Sequence, residues 1–146
     1  MTAKKYLSRI RHIDDIIRSK LEVVNRLREL STKVGSTITT KDKVQAPYES
    51  KIETIIAKIV DLERSIDDDI DKLIDIKKEV MQKIDALQNN DYKLLLALRY
   101  LSLYSWEEIA VKMHFTYRWT LAVHGRALHE IEKLLNDEAC NLKGKS

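Results

Sequence analysis

The chain has 146 residues, of which three are Gly and one is Pro, and its formal net charge is +3. Tight turns need residues that reach positive φ or hold φ near the proline value. With only Gly35, Gly125, Gly144 and Pro47 available, a β-sandwich, a β-barrel or a glycine-rich phosphate loop is all but excluded, and a charged fraction of 34% suits long amphipathic helices instead.

The longest apolar run, Leu94 to Leu98, is far short of the ~20 residues that cross a bilayer. Met1-Thr2-Ala3-Lys4-Lys5 opens no apolar signal core. Cys140 is the single cysteine, and no Cys/His set has zinc-ligand spacing. The expectation is a soluble cytoplasmic protein without membrane partner, disulfide, metal or cofactor. Charge is unevenly spread. Residues 1–51 carry 12 Lys/Arg against 6 Asp/Glu, residues 52–90 carry 6 against 10, and residues 91–146 carry 8 against 7. A basic segment followed by an acidic one suggests two helices that pair with each other.

In chain order, Tyr6, Ile10, Ile13, Ile17, Leu21, Val24 and Leu27 recur in steps of three and four, which predicts a helix over about 3–31 with one apolar stripe. The run Ser31–Thr40 is mostly polar and contains Gly35, and Pro47 follows, so 32–49 is expected to be a loop. From Ser50 the pattern returns. Ile52, Ile59, Ile66, Leu73, Val80 and Leu87 lie seven apart, with Ile55, Ile56, Leu62, Ile70, Ile76 and Ile84 between them. That is a coiled-coil seam, predicting a second helix over 50–88. Residues 1–90 are thus expected to form a long antiparallel coiled-coil hairpin. The first helix would be the shorter, leaving part of the second seam uncovered, so the protein is expected to form a homodimer.

Asn89-Asn90-Asp91 breaks the period, with Asp91 as a candidate N-cap, and residues 91–146 differ in character. Asp91–Leu101 reads as a helix with Leu95, Leu98 and Leu101 inward. Ser105-Trp106-Glu107-Glu108 has capping-box spacing and opens a helix holding Ile109, Ala110 and Met113. His114 and Phe115 form a turn, Thr116 is the next N-cap, and a helix follows over 117–135 with Val123, Ala127, Leu128, Ile131 and Leu134 inward. Two helices joined by a short turn, with the small Ala110 at their crossing, fit a helix-turn-helix. The fold class expected is therefore all-α, a helical hairpin followed by a small helix-turn-helix domain.

From Ile109 to His129 there is no Asp or Glu, while Lys112, Arg118 and Arg126 are present. Such a carboxylate-free stretch attracts DNA phosphates, and the amides of a helix N-terminus at Thr116 suit a phosphate or base edge. Among the other conspicuous features, the Asp67-Asp68-Asp69 run with Asp71 fits a solvated face. Trp106 and Trp119 fit packing positions beside a core, though stacking on bases is the alternative. His114, His124 and His129 have no neighbour that completes a ligand set. Nothing in the sequence points to an enzyme.

Ser105-Trp106-Glu107-Glu108-Ile109-Ala110, then Met113, Phe115 and Thr116, then Arg126-Ala127-Leu128 resembles region four of bacterial sigma factors. With Leu103-Tyr104 and His124-Gly125 added, and with Tyr6-Leu7 and Lys58-Ile59-Val60-Asp61-Leu62-Glu63 upstream, the chain is similar to small phage and prophage regulators of Gram-positive bacteria of the RinA and ArpU types. The resemblance implies a transcriptional regulator of the bacterial host cytoplasm that binds double-stranded DNA, with host RNA polymerase as a second contact. It also implies that Tyr117, Arg118, Leu121, Ala122 and Gly125 face the major groove, Arg118 having the fork that matches guanine. With Lys112, Thr116 and Arg126 these are the expected DNA-binding residues. Leu121 and Ala122 stand where such proteins carry polar reading residues, so Leu121 either meets a thymine methyl or packs on a protein. Two alternatives therefore stay open. One is an interaction module that reuses the helix-turn-helix to inhibit a host protein, such as a defence nuclease or polymerase. The other is a terminase small subunit.

Overall fold

The computed structural model describes residues 2–38 and 45–144. The described residues are all-α, with no strand among them: α1 (Ala3–Ile38), α2 (Gln45–Asp85), α3 (Asn90–Leu96), a π-helical turn (Ala97–Leu101), α4 (Trp106–Met113) and α5 (Tyr117–Lys143). No helix among the described residues is long and apolar enough to cross a membrane.

The hairpin helices are longer than their apolar periods. Of the expected loop over 32–49, residues 32–38 continue α1 and 45–49 begin α2, while 39–44 lie outside the described residues. The physical reason is that a nucleated helix propagates one hydrogen bond per residue without needing a buried face. Thr32 Oγ1 adds a bond to the Arg28 carbonyl at 3.0 Å, and Gly35 costs only about 1 kcal/mol inside a helix. Pro47 falls in the first turn of α2, where its missing N–H has no intrahelical partner to lose. With 36 residues in α1 and 41 in α2, the two helices are nearly matched, and the expected length mismatch does not account for uncovered surface.

The chain divides into two compact units, Ile13–Lys72 and Met1–His12 with Leu73–Ser146. In the first, α1 and α2 run antiparallel: Lys20 Nζ meets Asp69 and Ser65 at 2.5 and 2.6 Å, and Arg28 meets Glu63 at 2.5 Å. Ile17, Val24, Ile55 and Ile66 are buried between them. All six positions of the seven-residue repeat are buried or half-buried, but Leu21, Ile56 and Ile70, expected to lie inward, are exposed along with Val23, Leu30 and Val60. Two helices offer each other a single seam, and these residues lie beyond its edge. Asp69 leaves the acidic run to hold Lys20, whereas Asp67 and Asp68 face solvent.

The second unit has the larger core. Leu7, Ile10, Val80, Leu95, Leu96, Ile109, Ala127 and Ile131 are all fully buried in one cluster with Tyr6, Ile84, Leu87, Tyr100, Met113 and Val123. The unit boundaries therefore fall at 12/13 and 72/73 rather than at 90/91, because the first three turns of α1 and the end of α2 contribute apolar side chains to the same core as α3–α5. Arg9 is held to Glu79 at 3.0 Å, and Lys83 pairs with Glu138. α2 stops at Asp85, and Asn89, not Asp91, caps α3: its side chain accepts from the amides of Asp91 and Tyr92.

Candidate functional site

α4 begins where Ser105 Oγ accepts from the amide of Glu108 at 3.2 Å, and it buries Ile109, Ala110 and Met113. It ends at His114, which adopts the left-handed conformation (φ 58°, ψ 36°). His tolerates that region better than most side chains, so the turn needs no Gly. The amide of Phe115 then bonds back to the Ala110 carbonyl at 2.9 Å. Thr116 caps α5 by accepting from the amide of Trp119 at 3.1 Å. Thr120, fully buried, returns its hydroxyl to the Thr116 carbonyl at 2.8 Å, so its polar atom is satisfied inside the helix.

α5 has two faces. Thr120, Val123, His124, Ala127 and Ile131 are buried. On the opposite side Arg118, Leu121, Ala122, Gly125 and His129, at positions i, i+3, i+4, i+7 and i+11, are exposed. Lys112, Thr116, Tyr117 and Arg126 are exposed too, so all eight residues singled out from the sequence reach the surface of the α4–turn–α5 segment. Their roles differ. The Thr116 hydroxyl is engaged by its cap. Lys112 Nζ lies 4.9 Å from the centre of the Tyr104 ring, and the Arg126 guanidinium lies 5.1 Å from that of Trp119. Neither Arg118 nor Arg126 has a carboxylate partner among the described residues. Gly125 has open space where a Cβ would stand, so nothing within the chain demands glycine there.

The two tryptophans divide the readings offered for them. Trp106 is half-buried, its ring edge-on to His124 with centroids 4.4 Å apart. Trp119 is 42% exposed, with Phe115 edge-on to it and the Arg126 guanidinium over its ring.

Sequence reasoning missed the support beneath this surface. The π-helical turn, closed by Ser102 N to Ala97 O and followed by Leu103 at φ 60°, aims Tyr100 at α5. Tyr100 Oη lies 2.7 Å from His124 Nε2, and both side chains are buried. Arg99 donates to the Tyr104 carbonyl at 3.0 Å and stacks 4.2 Å over Trp106. A π turn leaves no hydropathy signature, which is why the sequence showed only a continuous helix here.

Burial, then the positive charges of Arg99 and Lys4, hold the His124 imidazole down at about 4. In the unfolded chain it titrates near the ordinary value of 6.5, so the unfolded state takes up its proton first as pH falls. This contribution to stability is complete above pH ~6.5, declines through the window down to about 4, and is then flat. The expected loss across the window is about 2 kcal/mol after allowing for solvent screening. Urea unfolding of wild type and His124→Gln across this range checks it. The stability difference should shrink toward the acid end, and parallel curves would show that His124 carries no such linkage.

The same residues that form this surface lie inside a stretch, 33–132, matched by the model of a protein family described as a protein of unknown function, DUF1492. The chain belongs to this family. The matched region takes in α2, α3, α4 and the greater part of α5, and it excludes the first 32 residues. No curated protein and no solved structure matches the chain. For this member of the family, then, the chemistry of the site rests on its own geometry.

Proposed function

We propose that the protein is a DNA-binding transcriptional regulator of phage type, in which α4, the turn and α5 act as a helix-turn-helix and α5 enters the major groove. The observation that carries this reading is the exposed face of α5. Arg118 and Arg126 stand there without carboxylate partners, in a 21-residue stretch, Ile109–His129, that contains no acidic residue. Duplex DNA supplies the missing counter-charge. Gly125, which nothing inside the chain requires, would let a phosphate or base edge approach the helix backbone. The resemblance of Ser105–Thr116 and Arg126–Leu128 to sigma region four supports the same reading and suggests host RNA polymerase as a second contact.

A second reading has a specific observation behind it. Tyr117, Trp119 and Leu121 are 48%, 42% and 39% exposed, an apolar content suited to a protein partner. The protein would then be an inhibitor of a host protein rather than a reader of DNA.

Self-association belongs to the proposal as well. The Ile13–Lys72 unit consists of two helices that leave Val23, Leu30, Ile56, Val60 and Ile70 exposed. A two-helix pair is marginal alone, and a second copy covering these residues would make a four-helix bundle. Selection of duplexes from a random library by the purified protein, with sedimentation of the same preparation, tests both parts. A recurring enriched motif and a dimeric mass are expected. Recovery of unenriched DNA would remove the regulator reading, and a monomer at micromolar concentration would remove the dimer.

A further inference from the structure

We propose that α2 docks onto α2 of a second copy of the chain in antiparallel orientation, through a second heptad seam centred on Ile70 and Ile74 and closed by Asp67–Lys77 pairs between the copies. The inference rests on the self-association in the reading above and gives it a surface, an orientation and a register.

α2 is one continuous helix, Gln45–Asp85. Its first seam runs through positions 52, 55, 59, 62, 66, 69, 73, 76 and 80, and every one of them is buried or half-buried. A shift of one residue turns about 100° around the helix and gives positions 56, 60, 63, 67, 70, 74, 77 and 81. This second set keeps the alternating steps of four and three that make a coiled-coil seam. Its apolar members, Ile56, Val60, Ile70, Ile74 and Met81, are 38% to 50% exposed. One face of α2 is therefore covered within the chain, while the adjacent face repeats the same period and stays open among the described residues.

The charged members of the open seam select both the partner and its direction. Glu63 is held by Arg28 of its own chain at 2.5 Å. Asp67, exposed, and Lys77, half-buried, form no ion pair among the described residues. In a parallel pair each would meet its own copy, carboxylate on carboxylate and ammonium on ammonium, and that repulsion opposes association. An antiparallel pair with its twofold axis beside residue 72 brings Asp67 level with Lys77 of the second copy, twice by symmetry. The same register sets Ile70 against Ile74 of the second copy, also twice. Four isoleucines then fill the centre, with an ion pair at each end of a segment about 15 Å long. Polar residues at seam positions fix register and orientation at some cost in stability. Asp71 and its copy flank the axis toward solvent, where water and salt screen their repulsion.

The test combines sedimentation with disulfide mapping of the full chain in a Cys140→Ser background, which removes the native thiol. Asp67→Cys and Lys77→Cys variants, mixed under reducing conditions and then oxidised, are expected to give a disulfide-linked dimer. Either variant oxidised alone should stay unlinked, since the two copies of one position lie about 15 Å apart along the axis. Charge reversal supplies a second readout. Asp67→Lys is expected to weaken the dimer about tenfold, and Asp67→Lys/Lys77→Asp to restore it, with helix content by circular dichroism unchanged throughout. If wild type sediments as a dimer but each cysteine variant links to itself, or the mixture does not link, the antiparallel seam is refuted and self-association stands. If wild type is a monomer at micromolar concentration, both fall.

Discussion

Replacing Leu7 by Ala is expected to destabilise the unit that carries α5 by about 3 kcal/mol, and a chain starting at residue 91 is expected not to fold. Leu7 is fully buried in one cluster with residues that follow it by more than seventy positions, among them Val80, Leu95 and Ile131. Truncation removes the methyl groups and leaves a cavity, because neighbours on several helices cannot all collapse into it. A fragment beginning at residue 91 retains Leu95, Leu96, Tyr100, Ile109, Val123, Ala127 and Ile131 but loses Leu7, Ile10, Val80 and Ile84. Short chains have little core to spare, so the α4–turn–α5 segment would lose its platform. Trp106, lodged against His124, is a convenient reporter for urea unfolding. Leu21→Ala is the control: Leu21 is 46% exposed, and its change should stay within about 0.5 kcal/mol. Equal effects at Leu7 and Leu21, or a cooperatively folding 91–146 fragment, would contradict the role assigned to α1.

Joint replacement of Arg118 and Arg126 by Ala is expected to weaken binding to a selected duplex about a hundredfold, at ~1–3 kcal/mol for each lost contact. The two should differ in kind. Arg118, near the N-terminus of α5 with an unencumbered guanidinium, is placed to meet a base edge, so its loss should relax sequence preference at one position. Arg126 is drawn over Trp119, which suits a phosphate contact, so its loss should lower affinity uniformly and reduce the salt slope by about 1. The fold should be indifferent, because both side chains are exposed and unpaired by acids. Titration of the single and double variants on matched and mismatched duplexes separates the effects. Unchanged affinity in the double variant would exclude this face of α5, and loss of binding to a host protein instead would favour the inhibitor reading.

Much of the local structure was legible because its causes are local. Ser105 and Thr116 bond to amides three residues ahead, so their spacing is enough to place the starts of α4 and α5. The small Ala110 and the turn at His114–Phe115 are equally short-range. The exposed and buried faces of α5 follow from a 3.6-residue period that any reader of the sequence can count. Helix ends without a buried face were less legible. α1 and α2 continue into residues 32–38 and 45–49, where hydropathy has no period to offer. The cap of α3 at Asn89 and the π turn over Ala97–Leu101 depend on backbone geometry that several neighbouring residues could have satisfied.

The all-α character of the chain follows from its residues alone. Its scarcity of Gly and Pro and its three-and-four spacing of apolar residues left no route to a sheet. So does the side of α5 that faces out, since a carboxylate-free cationic face cannot be buried cheaply. Which apolar stripe meets which is set by packing between distant segments. The stripe of α1 looks the same from Tyr6 to Leu27, yet Tyr6, Leu7 and Ile10 enter the core beneath α3–α5, whereas Ile17 and Val24 meet α2 within the other unit. Apolar burial is non-directional, so a periodic stripe specifies that a face will be covered but not by what.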